Sequence, residues 1–340
     1  MVALSEVLRQ PREARNLRGG RDYPRNFPEF LERFASEAAC LTYLEGLRWG
    51  ERFVCPHCGV VDGGYWRMRD GWRRCAACRK ECSVTSGTIL QGTRYPLQTW
   101  FHVAWYVVAQ KNGVSALGLQ RVLGLGSYKT AWAWMHKLRR AMVVPGRDLL
   151  AGPVEVDETF VGGVKSGARG RATDGKAVVV IAVEARDSGP GRVRMRRIND
   201  TSQASLTPVV EDFVEPGSEV QTDAWGGYNE LDRMRAYSHV VSNLSESGEP
   251  AHVSMPHVHR VASLFKRWLL GTHQGGIAWQ QLDYYMDEFT FRFNRRHSRY
   301  RGLLFYRLME GVVATTPKPY GELITRVKAA REAARSGVTR

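Results

Sequence analysis

Apolar residues recur at helical spacing in two stretches of the N-terminal half of the chain. In the first, Asn26 can cap a helix and Glu29 stands three positions later, as in a capping box. The apolar positions that follow predict two short amphipathic helices: Phe30, Leu31, Phe34, Leu41, Tyr43, Leu44 and Leu47. In the second stretch, residues 96–143, Gly124 and Gly126 separate two helical segments. Residues 115–142 are therefore predicted to form a helix-turn-helix-like pair.

The C-terminal half changes to an alternation of strand and helix patterns. Strands are predicted over residues 154–161, 177–185 and 192–198, with a further strand ending near Thr222. Helices are predicted over residues 204–214, 257–271 and 279–296. The last of these helices has one apolar face, formed by Trp279, Leu282, Met286, Phe289 and Phe293. The pattern predicts an α/β domain that follows a linker at residues 145–153.

Composition and charge narrow the classes of function. The 340 residues include 49 Lys and Arg against 34 Asp and Glu, a net charge of +15, and the isoelectric point is about 9.8. This balance points to a polyanionic partner, with nucleic acid as the first candidate. A hydrophobic content of 43% excludes wholesale disorder. No apolar run reaches the roughly 18 residues of a membrane span, and the N-terminus lacks the apolar core of a signal peptide.

The first 25 residues carry an arginine at every third or fourth position. These arginines are Arg9, Arg12, Arg15, Arg18, Arg21 and Arg25. Such a charge run is most often a solvated tail, although a DNA-contacting arm is the alternative. We therefore predict a flexible basic leader.

Four of the six cysteines have the spacing of a zinc ribbon. Two CxxC pairs are separated by sixteen residues, and their members are Cys55, Cys58, Cys75 and Cys78. Each pair makes a tight turn that aims two thiolates at one point, so that two turns close a tetrahedron around Zn²⁺. A closed four-thiolate site leaves no open position, and its zinc is structural. The remaining cysteines, Cys40 and Cys82, are predicted to be buried small residues.

Three groups of cations are candidates for contact with DNA. Arg67, Arg73 and Arg74 precede the second CxxC pair, next to Trp66 and Trp72. The second helix of the helix-turn-helix-like pair carries Lys129, Lys137, Arg139 and Arg140. The last two predicted helices carry Arg267, Arg295 and Arg296.

Acidic residues lie on two of the predicted strands. Burial of a charged side chain in a strand is unfavourable unless the charge has a partner or a function. Asp157 is in the middle of an alternating strand, in which Glu155 shares its face and Glu158 takes the other face. Asp223 stands where an apolar strand ends and a Gly-rich turn begins, a usual place for chemistry in α/β folds. Two carboxylates at adjacent strand ends can hold two Mg²⁺ ions about 4 Å apart for in-line phosphoryl displacement. The alternative for the first strand is an edge position with solvated acids.

Several stretches together resemble one protein family. In order they are CPxCG, CxxC and SGTI, then VEVDETFVGG, TDAWGGY, FKRWLLGTHQG and DEFTFRFNRR, from about residue 26 to about residue 308. This order is similar to that of bacterial insertion-sequence transposases with an N-terminal zinc ribbon and a DDE domain, the IS1595 or ISXO2-like family. The resemblance implies an RNase H-like catalytic core, Mg²⁺ or Mn²⁺ as cofactor, and terminal inverted-repeat DNA as substrate. It also implies that Asp157 and Asp223 are the first two catalytic aspartates.

The third catalytic position departs from the glutamate of many DDE enzymes. Thirty-five residues separate Asp223 from His259, the interval that such enzymes place before their glutamate, and Lys266 follows seven residues later. We therefore expect His259 and Lys266 in the active site. A neutral imidazole can bind Mn²⁺ or, less readily, Mg²⁺. The alternatives are a His259 with no role beyond a hydrogen bond, Glu288 as the third acid, or His257.

The sequence thus predicts a multidomain α+β protein. The predicted parts are a flexible basic leader (1–25), N-terminal helices with a zinc ribbon (26–92), a helix-turn-helix-like DNA-binding segment (93–145), an RNase H-like DDE-type catalytic domain (150–310) and a C-terminal tail (311–340).

The expected function is that of an insertion-sequence transposase, which binds terminal inverted repeats and catalyses metal-dependent strand cleavage and strand transfer. A histidine in place of an acid motivates an alternative, a catalytically decayed or domesticated transposase that acts as a sequence-specific DNA-binding protein. A zinc-ribbon nuclease with another substrate is a third hypothesis. The expected partners are double-stranded DNA, both element ends and target, and further copies of the chain on that DNA. We expect a cytoplasmic, nucleoid-associated protein without membrane contact.

Overall fold

The computed structural model describes residues 16–50, 52–69, 71–143, 146–162, 176–242, 251–274, 277 and 281–324. The chain divides into two compact units. The first comprises Met1–Gly146 together with His297–Arg340, and the second comprises Arg147–Arg296. The predicted arginines at positions 9, 12 and 15, and Trp279, lie outside the described residues. No helix in the described part of the chain has the length and apolar character that crossing a membrane requires.

Eleven α-helices and eight strands lie within these described ranges. The helices are α1 (Phe27–Arg33), α2 (Glu37–Arg48), α3 (Leu97–Ala109), α4 (Ala116–Val122), α5 (Tyr128–Ala141), α6 (Gln203–Phe213), α7 (Glu230–Arg233), α8 (Ala251–Ser254), α9 (Pro256–His273), α10 (Leu282–Asn294) and α11 (Arg301–Ala314). The strands are β1 (Tyr65–Arg67), β2 (Trp72–Cys75), β3 (Glu81–Ser83), β4 (Pro153–Val161), β5 (Ala177–Arg186), β6 (Gly189–Ile198), β7 (Glu219–Asp223) and β8 (Ser238–Ser242). This mixture confirms the predicted multidomain α+β class.

Local sequence signals start the helices of the first unit. The side chain of Asn26 accepts a hydrogen bond from the backbone N–H of Glu29 at 3.0 Å, which caps α1 as predicted. Ser127 caps α5 through a 3.2 Å bond from the backbone N–H of Lys129. The helix-turn-helix-like pair is therefore α4 and α5, joined by a short turn after Val122.

An aromatic core holds the helices of the first unit together. The rings of Phe34 and Phe101 meet edge to face at 4.8 Å, and Phe305 of α11 lies 5.3 Å from Phe30. Helix α11 also passes so close to α5 that a Cβ on Gly311 would lie 1.8 Å from the carbonyl oxygen of Ala141. The prediction placed α11 at the boundary of a catalytic domain and a tail, whereas its packing makes it part of the first unit.

The cysteine-bearing segment forms a three-stranded antiparallel sheet in the order β1-β2-β3. Arg48 at the end of α2 is buried and donates to the carbonyl oxygens of Ser83 at 3.0 Å and Val84 at 2.5 Å. These bonds satisfy loop carbonyls that burial would otherwise leave without partners. Cys40 and Cys82 are both buried, as predicted.

The second unit is a five-stranded mixed sheet with helices on both faces. Its strand order is β6-β5-β4-β7-β8, in which β6, β5 and β4 are antiparallel and β4, β7 and β8 are parallel. Val179, Ile181 and Val183 of β5 pack against α9 and α10, whereas Val180 and Ala182 belong to the core beneath α6. Residues 177–183 of β5 are all apolar because both faces of this strand are covered.

Candidate active site and nucleic-acid surfaces

Strands β4 and β7 bring the two predicted aspartates level with each other. The parallel register pairs Glu155 with Gln221, and two more residues along each strand lead to Asp157 and Asp223. In β4, Asp157 lies opposite Ile181 and so faces the helices α9 and α10. Glu158 lies opposite Val180 and faces α6. The sequence prediction that Glu155 and Asp157 share one face is confirmed, and this face is covered rather than solvated.

Glu155 fixes the N-terminus of α9 against β4. Its carboxylate accepts a 2.7 Å hydrogen bond from the backbone N–H of Val258, while the residue before the helix, Met255, gives no side-chain cap. A carboxylate at this place satisfies a free N–H and interacts favourably with the helix dipole. Burial raises the pKa of Glu155, and the bond from Val258 opposes that shift. Glu155, the acid next to Asp157 on this face of β4, therefore fixes the position of the N-terminus of α9 against the strand.

With α9 in this position, His259 lies beside Asp157. The two side chains approach to 3.6 Å between Nδ1 and Oδ2. The second ring nitrogen, Nε2, is buried and has no hydrogen-bond partner among the described residues. Lys266 lies two turns further along α9. Burial lowers the pKa of its ammonium group, and the nearby charge of Asp157 opposes this shift. The structure thus brings His259 and Lys266 to Asp157 from one helix.

The two alternatives for the third position have other surroundings. Glu288 is completely buried on α10 and forms an ion pair with Arg292 at 2.7 Å. Helix α10 packs chiefly on β6, which is separated from β4 by β5. His257 lies 4.0 Å from the carboxylate of Glu155, between Nε2 and Oε1. Of the three candidates, His259 is the one that lies beside Asp157.

A chain of hydrogen bonds lies behind Asp223, and the sequence analysis did not predict it. His239 of β8 lies 2.6 Å from Asp232 through Nδ1 and 2.8 Å from the hydroxyl of Thr222 through Nε2. The same hydroxyl lies 2.9 Å from the carbonyl oxygen of Asp223, to which it can donate. One hydroxyl hydrogen serves only one acceptor, so when Thr222 donates to the carbonyl of Asp223, its bond with His239 uses a hydrogen on Nε2 and the bond with Asp232 uses one on Nδ1. The chain therefore ties the end of β7 to its neighbour β8.

Tyr228 is a second residue near the carboxylates whose place the sequence did not predict. It is buried beneath the sheet, and burial, together with the charges of Glu158, Asp157 and Asp223, raises its pKa well above the usual range. Its phenol therefore stays protonated. The motif TDAWGGY contained it, but the motif alone carries no signal that distinguishes a core tyrosine from one beside three acids.

The four predicted zinc-binding cysteines come together in the ribbon. One ligand atom from each lies within 4.8 Å of the others, and the sulfur atoms of Cys55 and Cys78 are 3.7 Å apart. The sulfur atoms of Cys58 and Cys75 are 3.8 Å apart. Tetrahedral zinc with Zn–S bonds of about 2.3 Å requires sulfur separations of about 3.8 Å. The donor set and its dimensions therefore fit Zn²⁺.

Two regions of the chain match the models of known families. Residues 149–294 match the model of an ISXO2-like transposase domain, and residues 35–81 match that of a transposase zinc-ribbon domain. Together the two matches cover more than half of the chain. The chain belongs to the ISXO2-like transposase family. A search of curated proteins gives no significant match. The family supports an insertion-sequence transposase, a DNA-binding protein of the phosphoryl-transfer class.

The first match spans β4 to α10 of this ISXO2-like transposase, and therefore contains both aspartates and His259. The second runs from the residue before Ser36 to Glu81, the first residue of β3, and contains all four clustered cysteines. The helix-turn-helix-like pair and α11 fall outside both matches.

Two of the cations predicted to contact DNA are buried in this transposase, and their prediction was wrong. Arg73 is only 6% exposed, because it lies between the rings of Trp49 and Tyr65 and forms a 3.2 Å ion pair with Glu45. Arg139 is 2% exposed within the first unit. A buried guanidinium group cannot reach a phosphate, so both residues stabilise their unit instead.

The remaining predicted cations fall into two groups. Arg74 is engaged by Glu81 at 2.6 Å, and Arg296 donates to the backbone carbonyl of Phe293 at 2.9 Å and to that of Pro190. Arg295 lies 4.3 Å over the ring of Phe291. Those still accessible as DNA-contact candidates are Arg67, Lys129 and Arg267, which are exposed, and Lys137 and Arg140, which are partly exposed.

Proposed function

We propose that this chain is a catalytically active insertion-sequence transposase with Asp157, Asp223 and His259 in its active site. In this reaction a water oxygen attacks the phosphorus at the element's end, and the bond from phosphorus to the 3′-oxygen breaks. The freed 3′-hydroxyl then attacks a phosphorus of the target DNA and displaces a target 3′-oxygen. The observation that supports this assignment is the 3.6 Å approach of His259 to Asp157, level with Asp223.

The residues present fit a divalent cation. Two carboxylates supply the oxygen ligands that Mg²⁺ and Mn²⁺ prefer, and an imidazole is a common ligand of Mn²⁺. Nδ1 of His259 lies 3.6 Å from Oδ2 of Asp157, so this ring nitrogen would share such an ion with the carboxylate. When bound, the metal would stabilise charge on the attacking and leaving oxygens.

The chain's own groups hold this arrangement in place. Glu155 binds the N-terminus of α9, so His259 and Lys266 lie on a fixed helix rather than on a loop. The Asp232–His239–Thr222 chain restrains the backbone of Asp223, and we assign it a positioning role. Lys266, near Asp157, is placed to contact a phosphate oxygen of the bound strand.

Two modules of the first unit are proposed to contact the terminal inverted repeats. The zinc ribbon offers Arg67 beside the exposed Trp66, and α5 offers Lys129 at its exposed first turn. Arg267 on α9 extends the basic surface of the second unit itself. We also propose that two or more copies of the chain act together on the two element ends.

The test is nicking and strand transfer by the purified protein on its own flanking DNA ends, with Mg²⁺ and with Mn²⁺. Asp157→Asn should lower the cleavage rate by about 10³-fold or more while leaving end binding intact, because a metal ligand contributes several kcal/mol to the transition state. His259→Ala should lower it as strongly, with a smaller loss in Mn²⁺ for His259→Asp. Glu219→Gln is the matched control, since this acid of β7 is exposed.

Full cleavage by Asp157→Asn would refute the assignment. Loss in Asp157→Asn with full activity in His259→Ala would remove His259 from the site. Specific end binding without any cleavage by the unmodified protein would identify a DNA-binding relic of a transposase.

A further inference from the structure

A cavity of about 350 Å³ lies within the first unit, and none of its lining residues is a cysteine of the zinc cluster. It is bounded by the segment before α3, by one side of α5 and by Tyr320. The volume is within the range of sites that enclose a small organic molecule.

The charge of this cavity is entirely positive. Arg94, Lys129 and Lys137 line it, and none of its lining residues is acidic. Within the described part of the chain, none of these three cations forms an ion pair. Lys137 is partly buried, and burial lowers the pKa of its ammonium group. Three cations around one hollow without a counter-charge form a site for an anion.

The rest of the lining is aromatic. Trp100 and Trp134 are stacked 3.9 Å apart and form a nearly buried wall. Tyr95 and Tyr320 line the same cavity and are 41% and 40% exposed, so each has ring surface open to a ligand. Exposed aromatic rings next to cations are the combination with which proteins bind unpaired nucleotides, because every base has a face that can stack.

We propose that this cavity binds one unpaired nucleotide of DNA. Arg94, Lys129 and Lys137 hold its phosphate, and Tyr95 or Tyr320 stacks on its base. A base inside a duplex is covered by its neighbours, so only a flipped or single-stranded nucleotide can enter. The proposal rests on the proposed function, because nucleotides next to a strand cut at an element end lose a stacked neighbour and can unpair. The first unit would then bind single-stranded DNA in this cavity besides its contacts with duplex DNA.

The experiment uses the full chain and an oligonucleotide of eight thymidines with one central 4-thiothymidine. Fluorescence anisotropy measures its affinity, and near-ultraviolet crosslinking followed by mass spectrometry maps its position. We expect the crosslink on the peptides that contain Tyr95 or Tyr320. The Tyr95→Ala, Tyr320→Ala double variant should lose about 5- to 150-fold in affinity, the range for one stacked base. The double variant with Phe at both positions should bind normally, since the stacking face remains.

Tyr128→Ala is the matched control, because Tyr128 is 50% exposed on the same helix α5 and does not line the cavity. It should bind the oligonucleotide as the unmodified protein does. Unchanged affinity in the alanine double variant, or an equal loss in Tyr128→Ala, would overturn the proposal.

Competition identifies the source of the ligand. Thymidine monophosphate and inorganic phosphate should each displace the oligonucleotide only at much higher concentration, because they lack the flanking backbone. Equal competition by inorganic phosphate would reduce the site to a simple anion site, and equal competition by the mononucleotide would make it a free-nucleotide site. Either result overturns the DNA assignment. Duplex end binding, measured on the same variants, should be retained, so failure of the cavity and failure of the transposase assignment are separable.

Discussion

The zinc cluster and the carboxylate site of this transposase are assembled in opposite ways. Two tight turns supply all four thiolates, and each turn places its pair locally. The proposed active-site residues come from β4, from the end of β7 and from α9, and 102 positions separate Asp157 from His259. The first site depends on local spacing, whereas the second depends on sheet register and on one helix cap. A variant that disrupts one of these two sites should therefore leave the other site intact.

Removal of zinc should have the largest effect and should be confined to the ribbon. Apparent binding free energies of structural zinc are about 10–16 kcal/mol in small peptides, so the ribbon is expected to unfold without its metal. Cys75→Ala should therefore lower the metal content from one zinc per chain to none. Limited proteolysis should then cut between β1 and β3, while residues 147–296 stay resistant.

Cys82→Ala is the control for zinc removal. Cys82 is buried in the same ribbon but lies outside the four-thiolate cluster. Its variant should retain one zinc. Equal zinc loss in both variants would show that the metal content reports general unfolding rather than ligation.

Loss of the helix cap should have the next largest effect, on the second unit alone. Glu155→Ala leaves the buried N–H of Val258 without its partner, which costs about 1–3 kcal/mol. It also frees the start of α9, so cleavage should fall while zinc content stays constant. Glu155→Gln keeps an acceptor oxygen and should recover most of the stability. Urea unfolding and the cleavage assay measure both effects, and a Gln variant as impaired as Ala would contradict the capping role.

The chain behind Asp223 should contribute less. Thr222→Val removes the hydroxyl between His239 and the carbonyl of Asp223, and a single hydrogen bond contributes about 1 kcal/mol. We expect a cleavage rate reduced by up to about tenfold with little change in the affinity for DNA. Thr207→Val on α6 is matched to it, since the Thr207 hydroxyl has no hydrogen bond within the described residues. A rate loss as large in Thr207→Val would refute the positioning role.

Substitution of Arg67 or Arg73 should give the smallest effects. The two variants should differ in kind, one in DNA binding and the other in stability. Arg67→Ala is expected to lower end affinity modestly and to reduce the salt dependence of binding by about one phosphate contact. Arg73→Ala should instead lower the stability of the ribbon, because it removes the ion pair with Glu45 and two ring contacts. Binding at several salt concentrations separates these results. An Arg73→Ala variant that alters only the salt slope would reverse the assignment.

The sequence predicted those features whose causes are local or periodic. The CxxC spacing predicted the cysteine cluster, and the alternation in β4 predicted that Glu155 and Asp157 face the same way. Arg73 and Arg139 were misjudged because a long side chain in a basic cluster gives no sign of the rings or helices that cover it. Thr222 and His239 were missed because their contact arises from strand pairing, which no spacing rule records.

The place of α11 in the first unit has a consequence for synthesis of the chain. Phe30 and Phe34 leave the ribosome early, but Phe305, which packs against them, follows after about 270 further residues. At translation rates of 5–20 residues per second this is a delay of roughly 15–55 s. During that interval the nascent protein presents an incomplete aromatic core, to which holding chaperones can bind.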